Sequence, residues 1–380
     1  MKSLRSTSVT GSGIRRGEGS GRTAFRAAVA VLWVAVAVAG LVRGGMTQGS
    51  PADVGAATTA QPIALPSFQS MEQAIQSVDY TMVQWRRFRD AQANVVTVRE
   101  RLQVDANGSN SPAYALTFLG VEGQLPGSPA FLKWQQIYSR MVYNQMGSLF
   151  FEHSTFRVRD LTKAQVNYTL HHFGTTVRAN RTANRIVVFP QSLDKAIWLI
   201  DVDSQTHVPL YAAEFDSQLR LLSEVEALTF VAAVVLPPPP PGGGSVTLHQ
   251  DFAAADTFLG HPQGLVEPNV SLAIDYSVER IAVRVDPLNN QHKLVITYTD
   301  GVDQFVIAQT LGVPDVFDGL AKQDSASQGI NHTIARYRDP AMSVLLFWEG
   351  GVAFQVAGRG ALQRLDELAR RLYLQALSSN

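Results

Sequence analysis

The chain has 380 residues, with 32 lysines and arginines against 32 aspartates and glutamates, and no cysteine. Zero formal net charge and the lack of any dense Lys/Arg stripe leave no overall electrostatic drive towards a polyanion, so nucleic acid is not an expected partner. Without cysteine there is no disulfide framework, no lipid-modified N-terminal Cys and no thiol chemistry.

Single cores rarely grow much beyond about 250 residues, so the length predicts two folded domains behind a targeting segment. Lys2, Arg5, Arg15, Arg16, Arg22 and Arg26 precede an uninterrupted apolar run, Ala27 to Val42, which is the layout of a secretory signal. The run is shorter than the usual membrane span of about 20 residues, and Ala37-Val38-Ala39 and Thr58-Thr59-Ala60 both offer small residues at cleavage spacing. Residues 1–45 are therefore expected to be a signal peptide or a retained N-terminal membrane anchor. The positive-inside rule puts the bulk of the chain outside the cytoplasm even if the segment is kept, and either way it engages membrane or secretion machinery. Residues 46–67, rich in Gly, Ala, Thr and Pro and without periodicity, read as a disordered tether.

Met71, Ala74, Ile75, Val78, Met82, Trp85 and Phe88 recur at helical spacing, and Ser70 with Gln73 has the spacing of a capping box. This predicts an amphipathic helix lying on a sheet. Val96, Val98, Leu102 and Val104, interleaved with Arg99 and Arg101, read as a half-exposed strand, and Asn107-Gly108 is a hairpin signal leading into Tyr114 to Val121. Ser128-Pro129 then caps a second helix whose stripe is Phe131, Trp134, Tyr138, Met141 and Val142. Leu149 to Arg159 and Gln165 to Phe173 are predicted strands. Ile186 to Phe189, Ala196 to Ile200 and Val208 to Phe215 continue them as an antiparallel meander with Asp- and Ser-rich turns. Strands apolar on both faces need cover on each side or a ligand in the concavity of their sheet.

Four landmarks follow one another here: Asn167-Tyr-Thr-Leu; Val177-Arg-Ala-Asn-Arg-Thr-Ala-Asn-Arg-Ile-Val-Val-Phe-Pro190; Ile197-Trp-Leu-Ile-Asp201; and Val208-Pro-Leu-Tyr211. Their order resembles the MucB/RseB family, which has an Asn-Tyr strand, a basic turn before a strand ending in Pro, a W-x-D strand and an x-P-L strand. Where that family usually has Gly in the basic turn this chain has Asn180, which also tolerates a left-handed backbone. The resemblance implies an α+β fold for residues 68–236: a curved antiparallel half-barrel covered by helices, shared with the lipoprotein carrier LolA.

The proline run Pro237 to Pro241 and Gly242 to Gly244 make residues 237–245 a linker, stiff and then swivelling. Beyond it, residues 246–380 restart as a smaller α+β domain. Phe252 to Leu259 reads as a short helix, and the predicted strands are Ile281 to Val285, Lys293 to Tyr298, Gln304 to Thr310, Thr333 to Tyr337, Ser343 to Trp348 and Val352 to Ala357. The last element, Ala361 to Leu377, is a helix with an apolar face of Leu362, Leu365, Leu368, Ala369, Leu372 and Ala376 and i,i+4 pairs on the other face. Tyr298-Thr-Asp-Gly301, Leu346-Phe-Trp348 and Ala369-Arg-Arg-Leu372 are similar to the C-terminal domain of the same family.

Motifs that carry chemistry are missing. There is no H-E-x-x-H, Walker loop, G-x-S-x-G or G-x-G-x-x-G, and adjacent His171 and His172 point to opposite faces of a strand. Ser192-Leu-Asp-Lys195 has S-x-x-K spacing but falls in a predicted turn, and Asp201 and Asp203 read as solvated acids at a strand end. No catalytic residue, metal or cofactor is expected. The resemblance implies an exported, non-enzymatic regulator that holds the periplasmic part of an anti-sigma factor, or a similar envelope partner, and senses an envelope-stress ligand. A lipid or lipoprotein carrier of the LolA kind is the alternative. An acyl chain is expected in the concavity of the sheet, against Val188, Trp198, Ile200, Leu210 and Phe230.

Overall fold

The computed structural model describes residues 65–89, 95–106, 108, 112–143, 155–192, 195–237, 246–262, 264–269, 275–285, 291–311, 322–324, 335–339, 342–358 and 362–379. The apolar run Ala27 to Val42, most of the tether and residues 238–245 of the linker lie outside them. Among the described residues no helix is long and apolar enough to cross a membrane.

The first helix, α1 (Phe68–Ser77), starts one turn earlier than its sequence signal, with Ser67 as the cap: Ser70 N donates to Ser67 Oγ at 3.2 Å and Ser67 N to Ser70 Oγ at 2.9 Å. It buries Phe68, Met71 and Ala74 and ends at Ser77, because Val78 is already extended. Met82, Trp85 and Phe88 are therefore not helical. They lie on β1 (Tyr80–Arg89), which pairs with β2 (Val95–Asp105) from Tyr80 opposite Val104 to Arg89 opposite Val95. The strand escapes notice because Gln84 and Arg86 occupy its inward face, which erases the alternation that marks a half-buried strand. β2 turns back through Gly108, with φ of +76°, into β3 (Ala113–Val121). The second helix, α2 (Pro129–Tyr143), packs on β3 through Phe118, whose ring lies 5.1 Å from Phe131 and 5.3 Å from Tyr138.

Residues 155–159 form no strand, and residues 149–154 of that expected element lie outside the described residues. Asp160 instead caps a short helix, α3 (Leu161–Asn167), accepting from Lys163 N at 3.0 Å. Five strands then follow as a meander: β4 (Tyr168–Arg178), β5 (Arg181–Pro190), β6 (Ile197–Asp203), β7 (Pro209–Phe215) and β8 (Leu221–Val231). The β4–β5 turn is Ala179-Asn180 with φ of +49° and +60°, the paired positive φ values of a two-residue hairpin turn that matches strand twist.

β8 pairs with β1, which splices the two meanders into one open sheet of order β3-β2-β1-β8-β7-β6-β5-β4. Register shifts interrupt the β1–β8, β2–β3, β4–β5, β6–β7 and β7–β8 ladders, and each such bulge bends its strand and raises the local twist. The fold class is thus α+β, an open, curved antiparallel sheet with helices against its inner face.

Asp201 and Asp203 are not solvated; their side chains are 0% and 1% exposed. Arg185 on β5 grips Asp201 at 2.8 and 2.9 Å, Arg178 on β4 adds a bond at 2.8 Å, and Arg181 holds Asp203 at 2.8 and 2.9 Å. The strand pairing carries three arginines to the acids, a neighbourhood that a reading along the chain does not supply.

A second sheet of eight antiparallel strands has the order β13-β14-β15-β16-β12-β11-β10-β9. Its strands in chain order are β9 (Val246–His249), β10 (Ser277–Val285), β11 (His292–Thr299), β12 (Gln304–Leu311), β13 (Lys322–Asp324), β14 (Ala335–Asp339), β15 (Met342–Glu349) and β16 (Val352–Gly358). Between β9 and β10 lies α4 (Phe252–Leu259), capped by Asp251 and closed by left-handed Gly260. The last helix, α5 (Leu362–Ser379), buries Leu368, Ala369, Leu372, Tyr373 and Ala376 on a core that includes Ile296, Phe347 and Phe354.

The two sheets belong to one compact unit and meet at a plug. The β11–β12 turn, Asp300 to Asp303, enters the first sheet's layer, where Val302 is buried with Phe68, Met71, Phe156, Ala164 and Trp198. Gly301 O accepts from Arg159 N at 2.8 Å, Asp300 O accepts from Asn167 Nδ2 at 2.8 Å, and the Asp300 carboxylate accepts from Tyr168 Oη at 2.9 Å. Arg159 adds an ion pair to Glu279 on β10 at 3.3 Å. These bonds match main-chain and side-chain groups of the turn to those of the first sheet's layer.

Candidate ligand cavity

The inner face of the first sheet is unevenly covered. Over β5 and β6, α1, α3 and the segment before α3 pack directly onto the strands, so Val188, Trp198 and Ile200 sit in a filled core at 0%, 3% and 0% exposure. The Trp198 ring meets Phe156 edge-on at 5.5 Å. Further along, towards β1 to β3, the described residues leave a hollow whose empty space, open solvent included, is about 870 Å³.

Its sheet wall is made by Met82 on β1, Leu102 and Val104 on β2, Leu116 on β3, Leu210 and Ala212 on β7 and Val225 on β8; Ala74 and Ile75 of α1 face them. Thr155, Phe156 and Arg157 close a further side. Of the five residues proposed from sequence, Leu210 alone lines this space. Phe230 stacks on Tyr80, a lining residue, at 5.6 Å, beneath the Arg181 guanidinium. Leu102 and Val104 were legible as one face of an alternating strand, but nothing in sequence ties them to Leu210. The splice of β1 to β8 does.

One end of the cavity is polar and self-satisfied. Gln84 and Arg86 point inward from β1 to Glu100 on β2, whose carboxylate is fully buried. That carboxylate accepts from Arg86 Nη2 at 2.7 Å and Nε at 3.0 Å, from Gln84 Nε2 at 2.5 Å and from Tyr138 Oη on α2 at 2.6 Å. Burial, joined by the Glu100 charge, pushes the Tyr138 phenol well up, so it stays a donor. Burial by itself would lower Arg86, but the Glu100 carboxylate outweighs it and the guanidinium stays charged.

Arg157 differs. Its buried Nε has no hydrogen-bond partner and no carboxylate pairs with it among the described residues. The nearby Tyr80 phenol is pushed up to about 12, burial overriding the lowering charge of Arg157.

Lys195 gives its ammonium to Asp300 at 2.7 Å, and its backbone N bonds Ser192 O in the turn, so the S-x-x-K spacing places no free amine at the serine. Among the described residues no group of three or more His, Asp or Glu side chains is placed to hold a metal.

Fold and cavity together describe an α+β protein whose open curved sheet, roofed by helices, encloses an apolar space. No protein-family model matches the chain, and no curated protein matches it. Among solved structures it is similar to MucB in the MucA/MucB complex of Pseudomonas aeruginosa, at 13% identity over 79% of this chain and 95% of that one, with a TM-score of 0.40. A crystal structure of MucB matches at 12% identity over 81% and 94%, with a TM-score of 0.41. A putative outer membrane lipoprotein-sorting protein domain from Vibrio parahaemolyticus matches at 11% identity over 45% and 93%, with a TM-score of 0.20.

Proposed function

We propose that the chain is an exported, non-enzymatic regulator that works outside the cytoplasm, holds an envelope protein of the anti-sigma-factor kind, and takes an acyl chain into the cavity beside Leu210. Residues 68–236 act as the half-barrel that receives the chain, and residues 246–380, reached through the linker 237–245, as the smaller domain that holds the partner. The cavity carries this reading: it is concave and lined chiefly by aliphatic side chains, with a few polar groups at one end. Each methylene buried there is worth about 0.8 kcal/mol, so a long chain would bind usefully.

The partner half of the reading rests on the ordered sequence landmarks and on the plugged joint. A lipid carrier needs only the half-barrel, whereas here the second sheet is fixed to the first by Asp300, Val302 and Arg159.

Protein recovered from the envelope of an expressing bacterium and examined by native mass spectrometry is expected to carry one acyl-containing ligand. After the lipid is stripped it should bind an environment-sensitive naphthylamine dye that long-chain amphiphiles displace. Protein without lipid that also ignores the dye overturns the acyl reading; a pull-down that recovers lipoproteins and no anti-sigma factor favours the carrier.

A further inference from the structure

We propose that the cavity takes a single-chain anionic amphiphile whose acid group, a carboxylate or a phosphate monoester, pairs with Arg157. Its chain would run past Ala74, Met82, Leu102 and Leu116. This deepens the acyl-binding reading above and rests on it.

The other arginine that lines the cavity, Arg86, is neutralised by Glu100. Arg157 lines the cavity, its Nε is out of solvent, and among the described residues no acceptor meets it. The acid nearest the cavity's polar end, Glu100, already accepts from Arg86, Gln84 and Tyr138 and has no capacity left for a second guanidinium. A guanidinium presents a planar fork of donors that fits carboxylate and phosphate oxygens, and partial burial strengthens such a pair. The rest of the lining is chiefly apolar, with Tyr80, Tyr114, Tyr211 and Thr155 interspersed and Gln84 and Arg86 at the polar end.

The test is displacement of the naphthylamine dye from the stripped protein by hexadecanoate, hexadecyl phosphate and hexadecanol. The two acids are expected to compete about tenfold or more tightly than the alcohol, the worth of one charge-assisted hydrogen bond. Whichever acid is tighter identifies the head group. Arg157→Gln should bring the acids down to the alcohol and leave the alcohol unchanged, while Arg157→Lys keeps most of the preference. If Arg157→Gln does not fold, the unaltered protein decides: the acid preference should shrink as salt is raised. An alcohol that competes as well as the acids, or an Arg157→Gln protein with the preference intact, overturns the anion assignment and leaves the acyl reading standing. Failure of all three to displace the dye overturns both.

Discussion

Lys195 Nζ lies 2.7 Å from the Asp300 carboxylate, with the two side chains 2% and 0% exposed, and the residues come from opposite sheets. Burial and the neighbouring Asp303 push the Asp300 carboxyl up, opposed by Lys195. A charge pair this deep contributes little over an apolar pair, but each partner depends on the other.

Lys195→Met should therefore cost about 3–5 kcal/mol, because it strands a buried carboxylate. The double variant Lys195→Met with Asp300→Asn should recover part of that loss. Urea unfolding followed by tryptophan fluorescence measures both, and equal losses in the single and double variants would show that the pair is not coupled.

Gly301 has φ of +108°, and a Cβ there would stand 2.7 Å from Ala164 Cα and 2.8 Å from Asp160 O, neither of which is a flexible side chain. Gly301→Ala should cost at least about 2 kcal/mol and loosen the plug. Gly123, with φ of +71° and open space around its Cβ position, serves as the control, and Gly123→Ala should cost about 1 kcal/mol. Similar melting temperatures for the two variants would contradict the close approach.

Removing the Glu100 charge leaves Arg86 buried without a counter-ion. Glu100→Gln is expected to destabilise by about 3–5 kcal/mol. Tyr138→Phe deletes one bond to that carboxylate and should cost about 1.5–3 kcal/mol. Thermal melts check the order of the two effects.

Burial would raise the Asp203 carboxyl, but bonds from Arg181 and Thr206 hold it below its ordinary value of 3.8. A folded-state value below the unfolded one contributes stability that is present above about pH 3.8 and is lost as pH falls through the folded value. Asp203→Asn should remove that acid-side slope and cost about 2 kcal/mol at neutral pH. Urea titrations at several pH values that give parallel curves for both proteins would reject this.

Local chemistry settled what the sequence could reveal about this chain. Gly108 and Asn180 set their turns through backbone conformations that few other residues adopt. Ser128-Pro129 started α2, and the β-branched runs of β5, β6 and β15 became strands because a strand's identity is written within its own few residues.

What the sequence left open was set by pairing between distant segments. The splice of β1 to β8 decides that Met82, Leu102 and Leu210 share one wall, the approach of β4 and β5 to β6 turns two apparent surface acids into buried ion-pair centres, and the plug makes a turn lysine, Lys195, part of a joint. Such contacts depend on which strand lies beside which, and a residue's own neighbours in the chain carry no record of that.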